Sequence, residues 1–185
     1  EGYIIHLRST MPTWGDYRPG ADGLYLRNHG GFATLDELRE ELAIHRALSP
    51  RIKLDQYHIT VAASYDAPIL KEHPEWFRRN DRDGNPDPLF PNVIENYQTM
   101  MDIPACREFM ATHIFDEGKR IGLDHVDLDE AQQQNTIDWD RMRLIRDDHV
   151  VRMWQRMKEK SAETGIAITM NGSGNPFADL NCMEA

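Results

Sequence analysis

Cysteine is scarce in this chain: 185 residues hold two, Cys106 and Cys182. Neither sits in a CxxC or CxxH pattern, which argues against a disulfide framework and a thiolate zinc site. Both are expected to be buried free thiols. Long apolar runs are absent too. No stretch approaches the roughly 18 residues that a membrane-spanning helix needs. Positive charge is the minority sign, with 21 Lys and Arg against 31 Asp and Glu and a formal net charge of -10. Nucleic acid and anionic membrane both call for clustered cations, so neither is expected as a partner. The eight histidines show no HExxH or paired-ligand spacing. Asn171-Gly172-Ser173-Gly174 lacks the Lys and the following helix of a phosphate loop. Asp81 to Asp87 starts like a calcium loop, but Asn92 stands where the bidentate Glu belongs. No metal and no cofactor are therefore expected.

What is present suits one globular domain. The 40% hydrophobic share can fill a core, and the 28% charged share can cover it. Glu1-Gly2-Tyr3 and the terminal Asn181 to Ala185 both read as cut ends, so residues 1–185 are expected to be part of one longer domain.

Helix and strand signals alternate. Tyr3 to Leu7 reads as a strand. Residues 8–33 form a long polar loop with five Gly and two Pro, unusual unless functional. Thr34, with Glu37 three residues on, starts a helix that Ser49-Pro50 ends near Leu48. Ile52 to Ala63 is the next strand. A second long excursion, 64–104, holds six of the ten prolines. Ala105 to Ile121 is a helix closed by Gly122, and Asp124 to Glu130 a strand. Gln132 to Asp140 is a polar loop. Met142 to Thr164 reads as the longest helix, with Ile145, Val150, Val151, Met153, Trp154 and Met157 on its buried side and Gly165 as its stop. Ile166 to Met170 and Asp179 to Met183 complete the series. Such alternation implies a parallel sheet with crossover helices. The expected fold class is α/β: a partial (β/α)8 TIM-type barrel, since a complete one needs at least about 200 residues.

The most informative stretch is Asp124-His125-Val126-Asp127-Leu128-Asp129-Glu130. Its apolar residues alternate with acids, the period of a strand. Asp127, Asp129 and Glu130 cluster at its carboxyl end, where such barrels do their chemistry. Carboxylates that close push each other's pKa values apart, the usual way for acids and bases to gain separate roles.

His73-Pro74-Glu75-Trp76-Phe77, Asp83-Gly84-Asn85-Pro86, the run Met101 to Phe109 and Gly122 to Glu130 together resemble a recurring pattern. It is that of (β/α)8-barrel glycoside hydrolases of the α-galactosidase-like, α-amylase-like and trimeric β-galactosidase-like kinds. The resemblance covers roughly residues 34 to 131. It departs from the pattern at Asp124-His125-Val126, where Asp-Gly-Ile is usual. It implies a carbohydrate-active hydrolase acting on an oligo- or polysaccharide. The implied nucleophile or base is Asp129 and the implied acid/base Glu184, with Asp179 as the weaker choice. For a polysaccharide-degrading enzyme a secreted or periplasmic location is favoured.

Glycoside cleavage needs two carboxyl groups, one to protonate the leaving oxygen and one to attack the anomeric carbon or activate water. A sugar also needs aromatic platforms and hydrogen-bonding groups. Trp14, Asp16, His58, Asp127, Glu130 and Asn171 are the candidates for substrate binding, with Tyr17, Tyr57, Tyr65 and Asp66 close to them. Two rival readings stand beside this one. The barrel could be a catalytically inactive sugar-binding or scaffold domain. Asp127, Asp129 and Glu130 could instead hold a divalent ion in a metal-dependent hydrolase.

Overall fold

The computed structural model describes residues 3–7, 15–26, 31–64, 67–77, 96–129, 136–138, 142–145, 148–171 and 176–182. Its framework is one sheet of five parallel strands: β1 (Tyr3–Leu7), β2 (Ile52–Ile59), β3 (His125–Asp129), β4 (Ala167–Asn171) and β5 (Leu180–Cys182), side by side in chain order. Parallel neighbours require a long crossover. Helices α1 (Leu35–Leu48), α2 (Pro104–Ile121) and α3 (Asp148–Thr164) supply the first three. The last connection, 172–179, is far shorter, and Phe177 within it stacks on Trp154 of α3 at 6.4 Å between ring centres. Among the described residues β1 pairs only with β2, and β5 only with β4. The expected barrel is therefore present as an open five-stranded part. None of the described helices is long and apolar enough to cross a membrane.

Local signals explain the helices. The α1 start is a capping box: the Glu37 amide donates to Thr34 Oγ1 at 3.3 Å and the Thr34 amide to Glu37 Oε2 at 2.7 Å. Pro104 occupies the first turn of α2, where its missing N–H costs nothing. Gly122 ends α2 at φ 101°, a left-handed conformation that glycine adopts without strain. Val150, Met153, Trp154 and Met157 recur at helical spacing along α3 and are all buried.

The core lies between helices and sheet. Val126 and Leu128 of β3 and Ile168 and Met170 of β4 pack against Met110, Ile114 and Phe115 of α2 and Met153, Trp154 and Met157 of α3. Full burial of each such side chain is worth about 1.5–3 kcal/mol. A second cluster, Tyr25, Leu42, Leu54, Ile121 and Leu123, closes the amino end of the sheet under α1. Cys106 is a buried free thiol, as expected, and burial pushes its pKa up.

Three elements differ from the sequence expectation. The run Ile52 to Ala63 is not one strand. It leaves the sheet after Ile59, and Ala62–Ser64 pairs antiparallel with Asn96–Gln98 in a separate ribbon. The helix expected from Met142 starts at Asp148; Arg143–Ile145 forms an antiparallel pair with Thr136–Asp138, inside what reads as polar loop. Val151, expected on the buried side of α3, is 44% exposed.

Candidate active site

Register sorts the polar residues of the sheet onto one face. Partners across parallel strands share a face, and successive residues alternate. Tyr57 lies opposite Asp127, Ile59 opposite Asp129, and Asp127 opposite Thr169. Asp55, Tyr57 and Ile59, then His125, Asp127 and Asp129, then Thr169, thus form one surface. Leu54, His58, Val126, Leu128, Ile168 and Met170 belong to the other, which carries the helices.

The helix-averted face ends in a carboxylate pair. Asp127 and Asp129 follow one another on this face, so their Cα atoms are about 6.6 Å apart. Asp127 is 5% exposed, and Asp129 is half-buried. Tyr57 reaches across from β2 and donates its hydroxyl to Asp129 Oδ2 at 2.5 Å. Deeper on the same face, Asp55 is fully buried. Thr169 donates to the Val126 carbonyl at 3.2 Å, tying β4 to β3. Burial lowers the pKa of His125, at the amino end of β3, and favours the neutral ring.

The opposite end of the strands is a clamp of ion pairs. Asp124 accepts from the Leu54 amide and from Arg46, both at 3.1 Å, and lies 3.7 Å from Lys53. Burial raises its pKa, but these donors outweigh it and hold the carboxyl below its usual range. Arg46 also donates to the Gly122 carbonyl, so one side chain ties α1 to the α2–β3 turn. Asp179 plays the same part for β4. It accepts from the Ile168 amide at 2.9 Å and from Lys158 at 2.5 Å. Those donors prevail over its burial, so its pKa is also lowered. An acid kept ionised level with Ile168, before β5 begins, is misplaced for general-acid work at the carboxyl ends.

The described parts of the first long loop divide between the two ends. Gly15 packs so tightly on the backbone that a Cβ there would lie 2.1 Å from the Ala62 carbonyl oxygen. The Ile59 amide donates to the Tyr17 hydroxyl at 2.8 Å. This segment sits at the same end as Asp129, as expected for loops that follow strand carboxyl ends. Tyr25, by contrast, belongs to the cluster at the amino end.

Two candidate binders have other work. Asp16 is fully buried and salt-bridged: Oδ1 accepts from Arg18 Nε at 2.8 Å, and Oδ2 from Arg18 Nη2 at 2.7 Å and the Ile69 amide at 2.8 Å. It staples the first loop to the second. His58 faces the helices, not the carboxylates. Tyr17 meets it edge-on at 4.0 Å, and burial drives its pKa well below the ordinary value. Asn171 closes β4 opposite Cys182. Trp14, Glu130 and Glu184, with Tyr65, Asp66 and 81–87, lie outside the described residues. Among the described residues no group of three His, Cys, Asp or Glu could hold a metal ion.

Sequence reasoning passed over Asp55, noted His125 only as a departure from the family pattern, and named Tyr57 only as an aromatic close to the candidate binders. The signal was available in the strand's phase. Ile52 and Leu54 fix the even positions of β2 toward the helices, which turns Asp55 and Tyr57 to the other side.

Solved structures share this architecture. An α-galactosidase from Thermus thermophilus in complex with stachyose matches with a TM-score of 0.64 at 15% identity, over 96% of this chain and 36% of its own. A maltogenic α-amylase from Thermotoga neapolitana matches with a TM-score of 0.60 at 18% identity, over 91% of this chain and 37% of its own. A GH31 sulfoquinovosidase from E. rectale, in complex with an aza-sugar inhibitor, reaches 0.59 at 19% identity, over 78% and 23%. The fold is that of a partial (β/α)8 barrel. Its structural neighbours are glycoside hydrolases, and the chain spans about a third of the length of the first two. No protein-family model and no curated protein sequence matches it.

Proposed function

We propose that this partial barrel belongs to a carbohydrate-active hydrolase and that Asp129 is its ionised catalytic carboxylate, the nucleophile or the base. The observation that carries the reading is the placement of Asp129: at the carboxyl end of β3, on the face turned from the helices, with a hydroxyl donor on one oxygen. The transition state of glycoside cleavage resembles an oxocarbenium ion. A fixed carboxylate in a site sheltered from water stabilises that positive charge better than solvent does. Asp127, one step deeper on the same face, is assigned to substrate hydroxyls or to support of Asp129. Glu184 remains the proposed proton donor, and an oligo- or polysaccharide the proposed substrate.

The test is Asp129→Asn in the full-length protein, assayed on p-nitrophenyl glycosides. The swap keeps shape and removes charge. A loss of about 10³-fold in kcat, roughly 4 kcal/mol of barrier, with the melting temperature unchanged, is the expected result. Turnover near the wild-type rate would overturn the assignment. A wild-type protein that binds sugar and hydrolyses none of these substrates would favour the inactive scaffold.

A further inference from the structure

We infer that Tyr57 is the positioning residue for Asp129, an inference that rests on the assignment of Asp129 as the reacting carboxylate. A carboxylate at a strand end can rotate about its terminal torsion, which is broad and roughly two-fold. Productive attack, or activation of water, requires one oxygen to face the anomeric carbon within a few tenths of an ångström. Tyr57 sits on the adjacent strand, one pairing step below the Ile59–Asp129 level. Its rigid ring spans that step and delivers the hydroxyl to Oδ2. Oδ2 is thereby engaged, and the plane of the carboxylate is set by that contact. The neighbouring acid makes this donor matter. Asp127 and Asp129 follow one another on the same face, and the Tyr57 hydroxyl holds the Asp129 carboxyl in one orientation beside Asp127.

Tyr57 is also held in place. Its strand pairs with β1 on one side and with β3 on the other over the pairs Asp55–His125 to Ile59–Asp129. The donor therefore rests on a rigid element rather than a loop, the arrangement that keeps a site to sub-ångström tolerance. The phenol forms no bond to the sugar in this scheme. It acts through Asp129 alone.

That last point gives a test that separates positioning from a merely structural role. Tyr57→Phe, Asp129→Asn and the double variant are made in the full-length protein. They are assayed on p-nitrophenyl α-D-galactopyranoside and the matching α-glucoside, with thermal melting of each. A hydrogen bond to a charged group is worth about 1.5–3 kcal/mol, so Tyr57→Phe should lower kcat by about 10- to 100-fold with KM within about two-fold. In the Asp129→Asn background the same change should cost less than about two-fold, because the charge it serves is gone. Equal losses in both backgrounds, or no loss in the wild-type background, overturn the role of Tyr57 and leave Asp129 standing. A wild-type protein inert on both substrates, or an active Asp129→Asn variant, overturns the Asp129 assignment and the Tyr57 inference with it.

Discussion

The two faces of the sheet are made from alternate residues of the same strands, yet they obey opposite rules. On the helix side Val126, Leu128, Ile168 and Met170 meet Phe115, Met153 and Met157, and along β3 and β4 that surface is apolar. On the other side Asp55, Asp127, Asp129, Tyr57 and Thr169 crowd together, with Asp55 and Asp127 nearly sealed from solvent. Removing carboxylates from water costs several kcal/mol each unless partners compensate. The apolar face supplies the stability that such a polar face consumes. In physical terms the helix side explains why the strands assemble, and the other side explains what the assembly can act on.

Adjacent residues of β3 offer the sharpest way to break this division. Leu128→Ala should destabilise the protein by about 3 kcal/mol, because it opens a cavity among fully buried neighbours. Chemical denaturation would measure the loss, and kcat per folded molecule should stay near wild type. Asp127→Asn should do the reverse, lowering kcat by roughly 10- to 100-fold while the melting temperature barely moves. If Leu128→Ala reduces kcat as much as Asp127→Asn does, the faces are not functionally separate.

Acid should act first on the helix side. His58 and His113 are both buried there, and burial is the main cause of their lowered pKa values, to about 4 for His113. The Phe109 carbonyl accepts from His113 Nδ1 at 2.8 Å, which fixes the proton there. In the unfolded chain each imidazole would titrate near the ordinary value of about 6.5. Between pH 6.5 and about 4 the unfolded state therefore binds more protons. Stability should fall with falling pH in that window, by about 1.4 kcal/mol per unit for each histidine that stays neutral when folded. Above pH 6.5 these residues contribute no pH dependence. Urea titrations across pH 4.5 to 7 would show the slope, and His113→Gln should flatten it. A slope unchanged in that variant would mean that His113 does not contribute to the acid sensitivity.

Much of the helix side was legible in the sequence. Thr34 and Glu37 announce a capping box, Gly122 a left-handed stop, and the Val150–Met157 spacing a buried stripe. These signals are local, and local physics decides them. Two kinds of information were not local. The strand Ile52 to Ala63 breaks after Ile59 because Ala62 to Ser64 finds a partner in Asn96–Gln98, more than 30 residues on. Arg143-Leu144-Ile145 suits a helix as well as a strand, and pairing with Thr136–Asp138 decides for the strand. The site was legible on β3, where acids and aliphatics alternate cleanly. On β2 it was not, because Asp55, Gln56, Tyr57 and His58 put polar atoms on both sides. His58 was favoured over Tyr57, and a one-residue slip of phase exchanges the faces.

The smallest effect belongs to α1, the helix farthest from the carboxylates in role. Only Leu42 is fully buried along its 14 residues, and Ile44 and Leu48 are 56% and 75% exposed. A helix with so little buried area leans on its ends. Thr34→Ala removes the hydroxyl that accepts from the Glu37 amide and donates to Glu37 Oε2, while the backbone amide of residue 34 can still donate to that carboxylate. Losing such a cap costs about 1 kcal/mol. The loss should appear as a small drop in denaturation midpoint at unchanged slope. The Tyr57–Asp129 hydrogen bond and kcat should be untouched, since α1 meets the helix side alone. A Thr34→Ala variant that lowers kcat while melting normally would show that α1 communicates with the polar face, and the separation of the two faces would fail at its least demanding point.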